Sequence, residues 1–268
     1  MKRLLIIFPF VVLLSSAVCF AGDFEDGKAA YERGDYKAAG ASWTKVANKG
    51  DAQAQTLLGT MYANGQGVPK NYNQAVSWYR KAAELGFAPA QSLLGAMYAN
   101  EKGVPKNYNH AVSWYRKAAE QGDAPAQYNL GVMYAKGQGV AQDYNQALMW
   151  TRKAAEQGDA PAQTNLGVMY AKGQGVAQDY NQALMWTRKA AEQRDAPAQY
   201  NLGVMYENGQ GVPQNYVEAH KWFNLSTANT TAKEVRDNAI KARDAVAKKM
   251  TAAQIAEAQK VASEWKKK

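Results

Sequence analysis

Residues 122–157 read GDAPAQYNLGVMYAKGQGVAQDYNQALMWTRKAAEQ, and this stretch decides the fold because it recurs along the chain every 36 residues. The next copy, residues 158–193, differs from it only by Thr164 in place of Tyr128. A fixed period of this size predicts an array of small helical units instead of one globular core. Five copies, called copy one to copy five below, each contain a glycine in a Leu-Gly-x-Met-Tyr string: Gly59, Gly95, Gly131, Gly167 and Gly203.

The near-identity of neighbouring copies also bears on function. It indicates a duplicated structural module, because the site residues of an enzyme must each be unique. The information about function is therefore expected at the positions where the copies differ.

Each copy contains two helical patterns separated by a turn. The first, for example residues 124–136, places Leu130 and Met133 at helical spacing, and the second runs over about residues 71–84 in copy one. A Gly-Gln-Gly-Val turn follows the first helix in most copies. Gly122-Asp123 closes the preceding helix and supplies an aspartate that can cap the next one. The unit is predicted to be a helical hairpin.

The glycine inside each first helix requires a compensating contact, since glycine costs about 1 kcal/mol relative to alanine in a helix interior. We expect a large side chain of the second helix, such as Tyr79 or Trp150, to approach it closely. Aromatic residues fixed at one repeat position are likewise predicted to be core. They are Trp78, Trp114, Trp150, Trp186 and Trp222, and Tyr62, Tyr98, Tyr134, Tyr170 and Tyr206.

The strings APAQYNLGVMY and ALMWTRKAAEQ, with GQGV between them, resemble the Sel1-like repeat, a relative of the tetratricopeptide repeat with a longer loop between its helices. The resemblance covers residues 50–229 as five repeats. It implies an all-α, right-handed superhelical solenoid of stacked helical hairpins. Residues 22–49 resemble a shorter tetratricopeptide-type hairpin at the start of the stack. Glu101 replaces the first loop glycine of the other copies, which predicts a different bend or backbone strain there.

The period stops after residue 229. Residues 231–249 have the apolar spacing of one helix, and Thr251 can cap a second helix that runs to the end of the chain. Residues 230–268 are therefore predicted to form two capping helices that cover the apolar end of copy five.

The first 21 residues have the order of a secretory signal peptide. Lys2 and Arg3 precede an apolar run, and small residues follow up to Ala21, where cleavage is predicted. Cys19 also permits a lipoprotein interpretation, although Val18 stands where lipoprotein signals need a small residue. The mature chain is expected to be exported, to a bacterial periplasm or as a secreted protein. It would contain no cysteine, which excludes disulfides and thiolate chemistry.

The formal net charge of +9 is unevenly distributed. From Thr230 onward ten Lys or Arg stand against five Asp or Glu, which leaves the array nearly neutral. A basic end on a neutral array argues against a nucleic-acid groove. The tail Trp265-Lys266-Lys267-Lys268 permits contact with an anionic membrane surface, but a solubilising end to a capping helix explains it equally well.

Few side chains carry a pattern of catalytic or metal chemistry. His110 is predicted on a polar helix face and His220 near the core, and neither has a second ligand at metal spacing. Ser42 and Ser263 each begin a Ser-x-x-Lys string, and cysteine-rich relatives of the repeat family have been linked to β-lactam binding. The companion Ser-Asp-Asn and Lys-Thr-Gly elements are absent. We predict a protein that is not an enzyme and has no metal or cofactor.

In the related tetratricopeptide arrays the first helices line a concave groove that receives peptides. The resemblance implies that polar or variable positions of the first helices face such a groove. Asparagine amides there could hydrogen-bond an extended peptide, and tyrosines could supply contact area; an ordinary solvated helix face is the alternative. The candidate partner-binding residues are Tyr128, Asn129, Lys136, Thr164, Asn165, Lys172, Tyr200 and Asn201.

The sequence thus predicts an exported, non-enzymatic scaffold or adaptor that binds an unidentified protein or peptide segment. One alternative is a β-lactam-binding or hydrolytic enzyme, and another is a structural protein attached to the envelope through the membrane surface or peptidoglycan. The sequence predicts neither the identity of the partner nor the oligomeric state.

Overall fold

The computed structural model of the chain describes residues 11–266, with side chains for residues 22–265. The described residues form fourteen helices and no strand. Residues 1–10, which begin the predicted signal peptide, and the last two lysines of the basic tail lie outside them. The chain divides into two compact units, one up to Gln121 and one from Gly122.

The helices of the first unit are α1 (Val11–Glu32), α2 (Tyr36–Ala47), α3 (Ala52–Asn64), α4 (Tyr72–Glu84), α5 (Ala88–Ala99) and α6 (Tyr108–Glu120). Those of the second unit are α7 (Ala124–Lys136), α8 (Tyr144–Glu156), α9 (Ala160–Lys172), α10 (Tyr180–Glu192), α11 (Ala196–Asn208), α12 (Tyr216–Ala228), α13 (Lys233–Ala247) and α14 (Ala252–Lys266).

Within each unit, consecutive helices pair as hairpins and the hairpins stack side by side. In the first unit α1 packs on α2, α3 on α4 and α5 on α6, and α2–α3 and α4–α5 contacts join the pairs. The second unit repeats this from α7 to α12, and α13 and α14 both pack against α12. The predicted all-α solenoid of helical hairpins is confirmed. No helix in the described part of the chain has the length and apolarity needed to cross a membrane.

The helix ends follow from the capping residues. Asp123 precedes α7 and its carboxylate accepts a hydrogen bond from the Ala126 backbone N–H at 2.8 Å, which satisfies an otherwise unpaired donor. Gly137 ends the same helix in the left-handed conformation, with φ 66°. Glu101 adopts φ 56° where other copies have glycine, so this loop bends in the same way and carries strain.

The glycine of each first helix contacts a side chain of the second helix. A Cβ atom added to Gly59 would lie 2.6 Å from ring carbons of Tyr79, so only glycine permits this approach. At Gly131 the neighbour is Thr151, whose Oγ1 would lie 2.5 Å from such a Cβ. The predicted contact of Tyr79 with a first-helix glycine is confirmed. The predicted contact of Trp150 is wrong by one residue, because α8 directs Thr151 towards Gly131.

The fixed tryptophans and tyrosines occupy less of the core than predicted. Trp150, Trp186 and Trp222 are buried, but Trp78 and Trp114 are half-buried. The Lys153 ammonium lies 4.5 Å from the Trp150 ring centroid, and lysines cover the other tryptophans in the same way. The five fixed tyrosines are half-buried.

Buried glutamines hydrogen-bond one repeat to the next. Gln91 Nε2 donates to the Ala83 carbonyl at 3.1 Å, and Gln121 Nε2 donates to Gln91 Oε1 at 2.8 Å. The arrangement recurs for Gln163 with Ala155 and Gln193, and for Gln199 with Ala191 and Asn229. The glutamine amides thus supply hydrogen-bond partners for carbonyl groups at the C-terminal ends of second helices, where the helix itself offers none.

Copy one lacks half of this arrangement. Gln55 donates to the Ala47 carbonyl at 3.0 Å, but its Oε1 atom is buried without a partner among the described residues. Leu85 stands where Gln121 stands one copy later, and it is 61% exposed. An apolar side chain therefore lies in water while a buried amide oxygen is left unpaired.

His220 is buried at the contact between α12 and the capping helices. It is 4% exposed, and its Nδ1 atom has no partner among the described residues. Burial lowers the pKa of His220 and the nearby Arg243 lowers it further, while Asp244 acts in the opposite direction. The folded chain thus favours the neutral imidazole.

We predict that Leu85→Gln stabilises the protein. The new amide would donate to Gln55 Oε1 as Gln121 does to Gln91, which is worth about 1 kcal/mol. Chemical denaturation followed by circular dichroism measures the change. Leu85→Ala is the control, since it removes the exposed apolar side chain without supplying a donor. Equal stability of the two variants would contradict the prediction.

We also predict that acid weakens the fold through His220. The pKa of His220 is lowered on folding, so its contribution is complete above the unfolded-state pKa of about 6.5 and is lost as the pH falls below that value. Urea unfolding at a series of pH values should give a steeper loss of stability for the natural chain than for His220→Leu. Leucine is the residue at this position in copies three and four. Parallel pH profiles for the two proteins would rule out the assignment.

Candidate functional site

The first helices of neighbouring copies flank pockets. In the second unit, α9 and α11 flank a pocket of about 210 Å³, called the α9–α11 pocket. Thr187 of α10 forms its floor and is 2% exposed. The other lining residues are Gly167, Val168, Ala171, Lys172, Asn201, Val204, Met205 and Gln210. The walls are mainly apolar, and the polar groups stand at the edges.

The floor of this pocket depends on a position where the copies differ. Thr187 contacts Gly167, just as Tyr79 contacts Gly59 and Phe223 contacts Gly203. Copies one, two and five place an aromatic ring at this position, and copies three and four place threonine. In copy five the Phe223 ring fills the space beside Gly203. The smaller Thr187 side chain takes its place beside Gly167 in copy four.

The corresponding pocket of the first unit lies between α3 and α5 and is called the α3–α5 pocket. It encloses about 430 Å³ and includes Thr60, Leu93, Met97, Lys70 and Lys102. Buried Tyr79 lies beneath it, with its hydroxyl 3.1 Å from Thr60 Oγ1. Burial raises the pKa of Tyr79, and the hydrogen bond with Thr60 partly opposes this.

Two lysines define the charge of the α3–α5 pocket. The Nζ atoms of Lys70 and Lys102 lie 5.0 Å and 5.6 Å from the ring centroid of Tyr72. Hydrogen bonding with Lys70 and the charges of both lysines lower the pKa of Tyr72. This end of the pocket is electropositive.

Two predicted partner-binding residues, Lys172 and Asn201, line the α9–α11 pocket together. Tyr200 is half-buried, and its ring centroid lies 5.6 Å from that of Phe223. Tyr128 is half-buried beside the N-terminal ends of α9 and α11. Burial raises its pKa, and the charges of Asp159 and Asp195 add to the effect.

Thr164 serves packing in this structure and not a free surface. It is 9% exposed, and the single proton of its hydroxyl is shared between two acceptors, the Ala160 carbonyl at 3.0 Å and Asp195 Oδ1 at 2.9 Å. The second bond joins copy four to the start of copy five. The proposal that Thr164 contacts a partner is therefore corrected, because both its surface and its hydroxyl are already occupied.

The remaining candidates lie on the first helices without being gathered into one pocket. Asn129 donates to the Pro125 carbonyl at 2.9 Å, which is the local bond expected of an ordinary helix surface. Asn165 is half-buried on α9, and Lys136 is exposed at the end of α7. Their role in binding a partner stays a prediction.

Two of the residues considered for catalysis have other partners. Lys45, of the first Ser-x-x-Lys string, forms an ion pair with Asp23 at 3.2 Å. His110 contacts Tyr98 edge-on, at 5.0 Å between centroids. Ser263 is exposed. In residues 11–266 no group of three His, Cys, Asp or Glu side chains is arranged to hold a metal ion.

The aromatic residue of the basic tail is engaged in packing. Trp265 is half-buried, and its ring centroid lies 5.8 Å from that of Trp222. The Arg194 guanidinium lies 5.6 Å from the same Trp265 ring. The Trp265 side chain thus packs α14 against copy five instead of being exposed for contact with a membrane.

Sequence reasoning missed Thr187, Lys70 and Lys102. Thr187 lies on a second helix, whereas the predicted groove is lined by first helices. The two lysines lie in loops of successive copies, and each differs from the glutamine that other copies carry there. A comparison of all 36 positions across the copies would have identified them.

Comparison with known proteins finds five repeats in the same part of the chain. A family model described as Sel1 repeat matches residues 52–87, 88–123, 124–159, 160–195 and 196–229. A Sel1 repeat protein from Oxalobacter formigenes is 36% identical, with a TM-score of 0.75, over 82% of this chain and 86% of that one. A Klebsiella pneumoniae subsp. pneumoniae protein described as a sel1 repeat protein is 25% identical, with a TM-score of 0.51, over 78% and 99% of the two chains. No curated protein sequence matches the chain.

Proposed function

This chain belongs to the Sel1 repeat family, and on that premise we propose that it is a non-enzymatic scaffold that binds a segment of another protein in the α9–α11 pocket. Stacked Sel1 and tetratricopeptide-like repeats form a fold typical of protein interaction. The observation that carries the proposal is the floor of this pocket, where Thr187 replaces the aromatic ring found in copy five. The missing ring leaves room for an apolar side chain of a partner.

The polar edges of the pocket suit an extended peptide. Asn201 and Gln210 carry amide groups, which can both donate to and accept from a peptide backbone. Lys172 adds a charge at the end of α9. Neither Lys172 nor Asn201 is engaged in an ion pair or hydrogen bond with another described residue. An apolar centre with a polar rim is the usual anatomy of a protein-binding site.

We further propose that the protein works outside the cytoplasm, in the periplasm or as a secreted protein. The support is the order of charged, apolar and small residues over positions 1–21. The backbone of α1 runs continuously from Val11 to Glu32, through the proposed cleavage position.

We predict that Thr187→Phe abolishes or strongly weakens partner binding without unfolding the chain. Phenylalanine already stands at this position in copy five, beside the matching glycine and valine, so the fold should accept it. Quantitative crosslinking from a native extract, with thermal denaturation as the folding check, measures both effects. The matched control is Met185→Ser on the exposed surface of α10, because serine occupies that position in copies one and two. If the Thr187→Phe variant captured the same partners as efficiently as the natural chain, the assignment of binding to the α9–α11 pocket would be wrong.

The location can be tested separately. When the full chain is expressed in a Gram-negative host, we expect the periplasmic fraction to hold a product that begins at Gly22, as read by N-terminal sequencing. An Ala21→Arg variant should block this processing. An uncleaved, cytoplasmic product of the natural chain would refute export by this segment.

A further inference from the structure

We propose that the α3–α5 pocket binds a carboxylate of an acidic protein segment, attracted by the ammonium groups of Lys70 and Lys102, which both line the pocket. The inference rests on the proposed function, because this pocket also lies between two first helices. It adds a second binding site and the chemistry of the residue that enters it.

The two lysines place positive charge near one aromatic ring of the pocket. Their Nζ atoms lie within 6 Å of the centroid of the Tyr72 ring, at 5.0 Å and 5.6 Å. Neither lysine forms an ion pair with a carboxylate in the described part of the chain. Both charges therefore attract an anion that enters this end of the pocket.

The two asparagine side chains near the lysines each make a local hydrogen bond. Asn64 Nδ2 donates to Gln66 Oε1 at 3.2 Å, and Asn100 Nδ2 donates to the Ala96 carbonyl at 2.9 Å. The lysine ammonium groups are the charged donors among the residues that line this pocket. A carboxylate fits them because ammonium–carboxylate hydrogen bonds are charge-assisted.

The other lining residues of the pocket indicate which kind of side chain accompanies the acidic residue. Leu93, Ala96 and Met97 of α5 form an apolar wall opposite Ala63 of α3. The enclosed 430 Å³ exceeds what a single carboxylate occupies. An inorganic anion would leave this wall exposed to water, whereas an acidic residue next to an apolar one would cover it. The occupant we infer is a peptide segment with these two side chains adjacent.

The lysines are additions to the repeat, not part of its scaffold. Copies three and four have Gln142 and Gln178 where copy one has Lys70, and Gln142 donates to the Ala135 carbonyl at 2.8 Å. Glutamine also occupies the Lys102 position in copies one, three, four and five. Lys70→Gln and Lys102→Gln therefore restore residues that the fold uses elsewhere, which makes the pair a test of charge alone.

The experiment uses three fluorescein-labelled dodecapeptides and the full chain without residues 1–21. The first peptide has one Glu-Leu pair in a Gly/Ser background and an amidated C-terminus, the second has Gln in place of Glu, and the third has Gln-Leu with a free C-terminal carboxylate. Fluorescence anisotropy gives each Kd. We expect the Glu peptide to bind more tightly than the Gln amide. We expect its Kd to rise about three- to tenfold for each lysine replaced, and its affinity to fall with added salt.

The control is Lys37→Gln, which removes the same charge from the exposed surface of α2 and should leave the Kd unchanged. Tight binding of the free-carboxylate peptide in place of the Glu peptide would assign the pocket to chain termini and overturn the side-chain assignment. Equal affinity for the Glu and Gln amides, or no binding at millimolar peptide, refutes the carboxylate site. Loss of anionic phospholipid vesicle binding in the double variant, without any peptide effect, would refute it as well.

These outcomes are separable from failure of the proposed function. Partner capture that is sensitive to Thr187→Phe but not to the lysine pair leaves the scaffold role standing and removes only this site. Capture that is insensitive to both removes the groove as the binding surface.

Discussion

The contact between a glycine of each first helix and a side chain of the paired second helix sets the dimensions of the hairpin. At Gly59 and Gly203 an aromatic ring occupies the space that a Cβ atom would need, and at Gly131 a threonine does so. The close approach brings the small residues of both helices into contact, and alanines such as Ala75, Ala111 and Ala147 become completely buried. The cost of glycine within a helix is accepted five times because the packing of every hairpin depends on it.

The sequence was sufficient for the fold but not for the surfaces. Period, capping residues and turn glycines determine local structure, so the bounds of α7 follow directly from residues 124–136. Which side chain meets a given glycine depends on the rotation of one helix against another, and for this reason Trp150 was expected where Thr151 lies. Burial of Thr164 depends on contacts with the following repeat, which a single-helix pattern does not contain.

The two pockets illustrate how a uniform scaffold acquires different chemistry. In the α9–α11 pocket a core position changes from an aromatic residue to threonine, which alters volume. In the α3–α5 pocket two loop positions change from glutamine to lysine, which alters charge. Neither change disturbs the glycine contact, the caps or the glutamine bonds between repeats. Variation in function can therefore proceed while the contacts that hold the stack together are kept, since Thr187 still meets Gly167.

Arg194 has a consequence for the length of the array. Residues 122–157 and 158–193 offer almost the same surface, so a C-terminal segment that recognised shared positions alone would have two equivalent places to dock. The earlier junctions between repeats have glycine at positive φ, while Arg194 takes φ 68° at a conformational cost and meets Trp265. This strained arginine marks which repeat is the last one. The contact with Trp265 is one that Gly158, at the same position one copy earlier, cannot supply, so it distinguishes copy five from copy four for the capping segment.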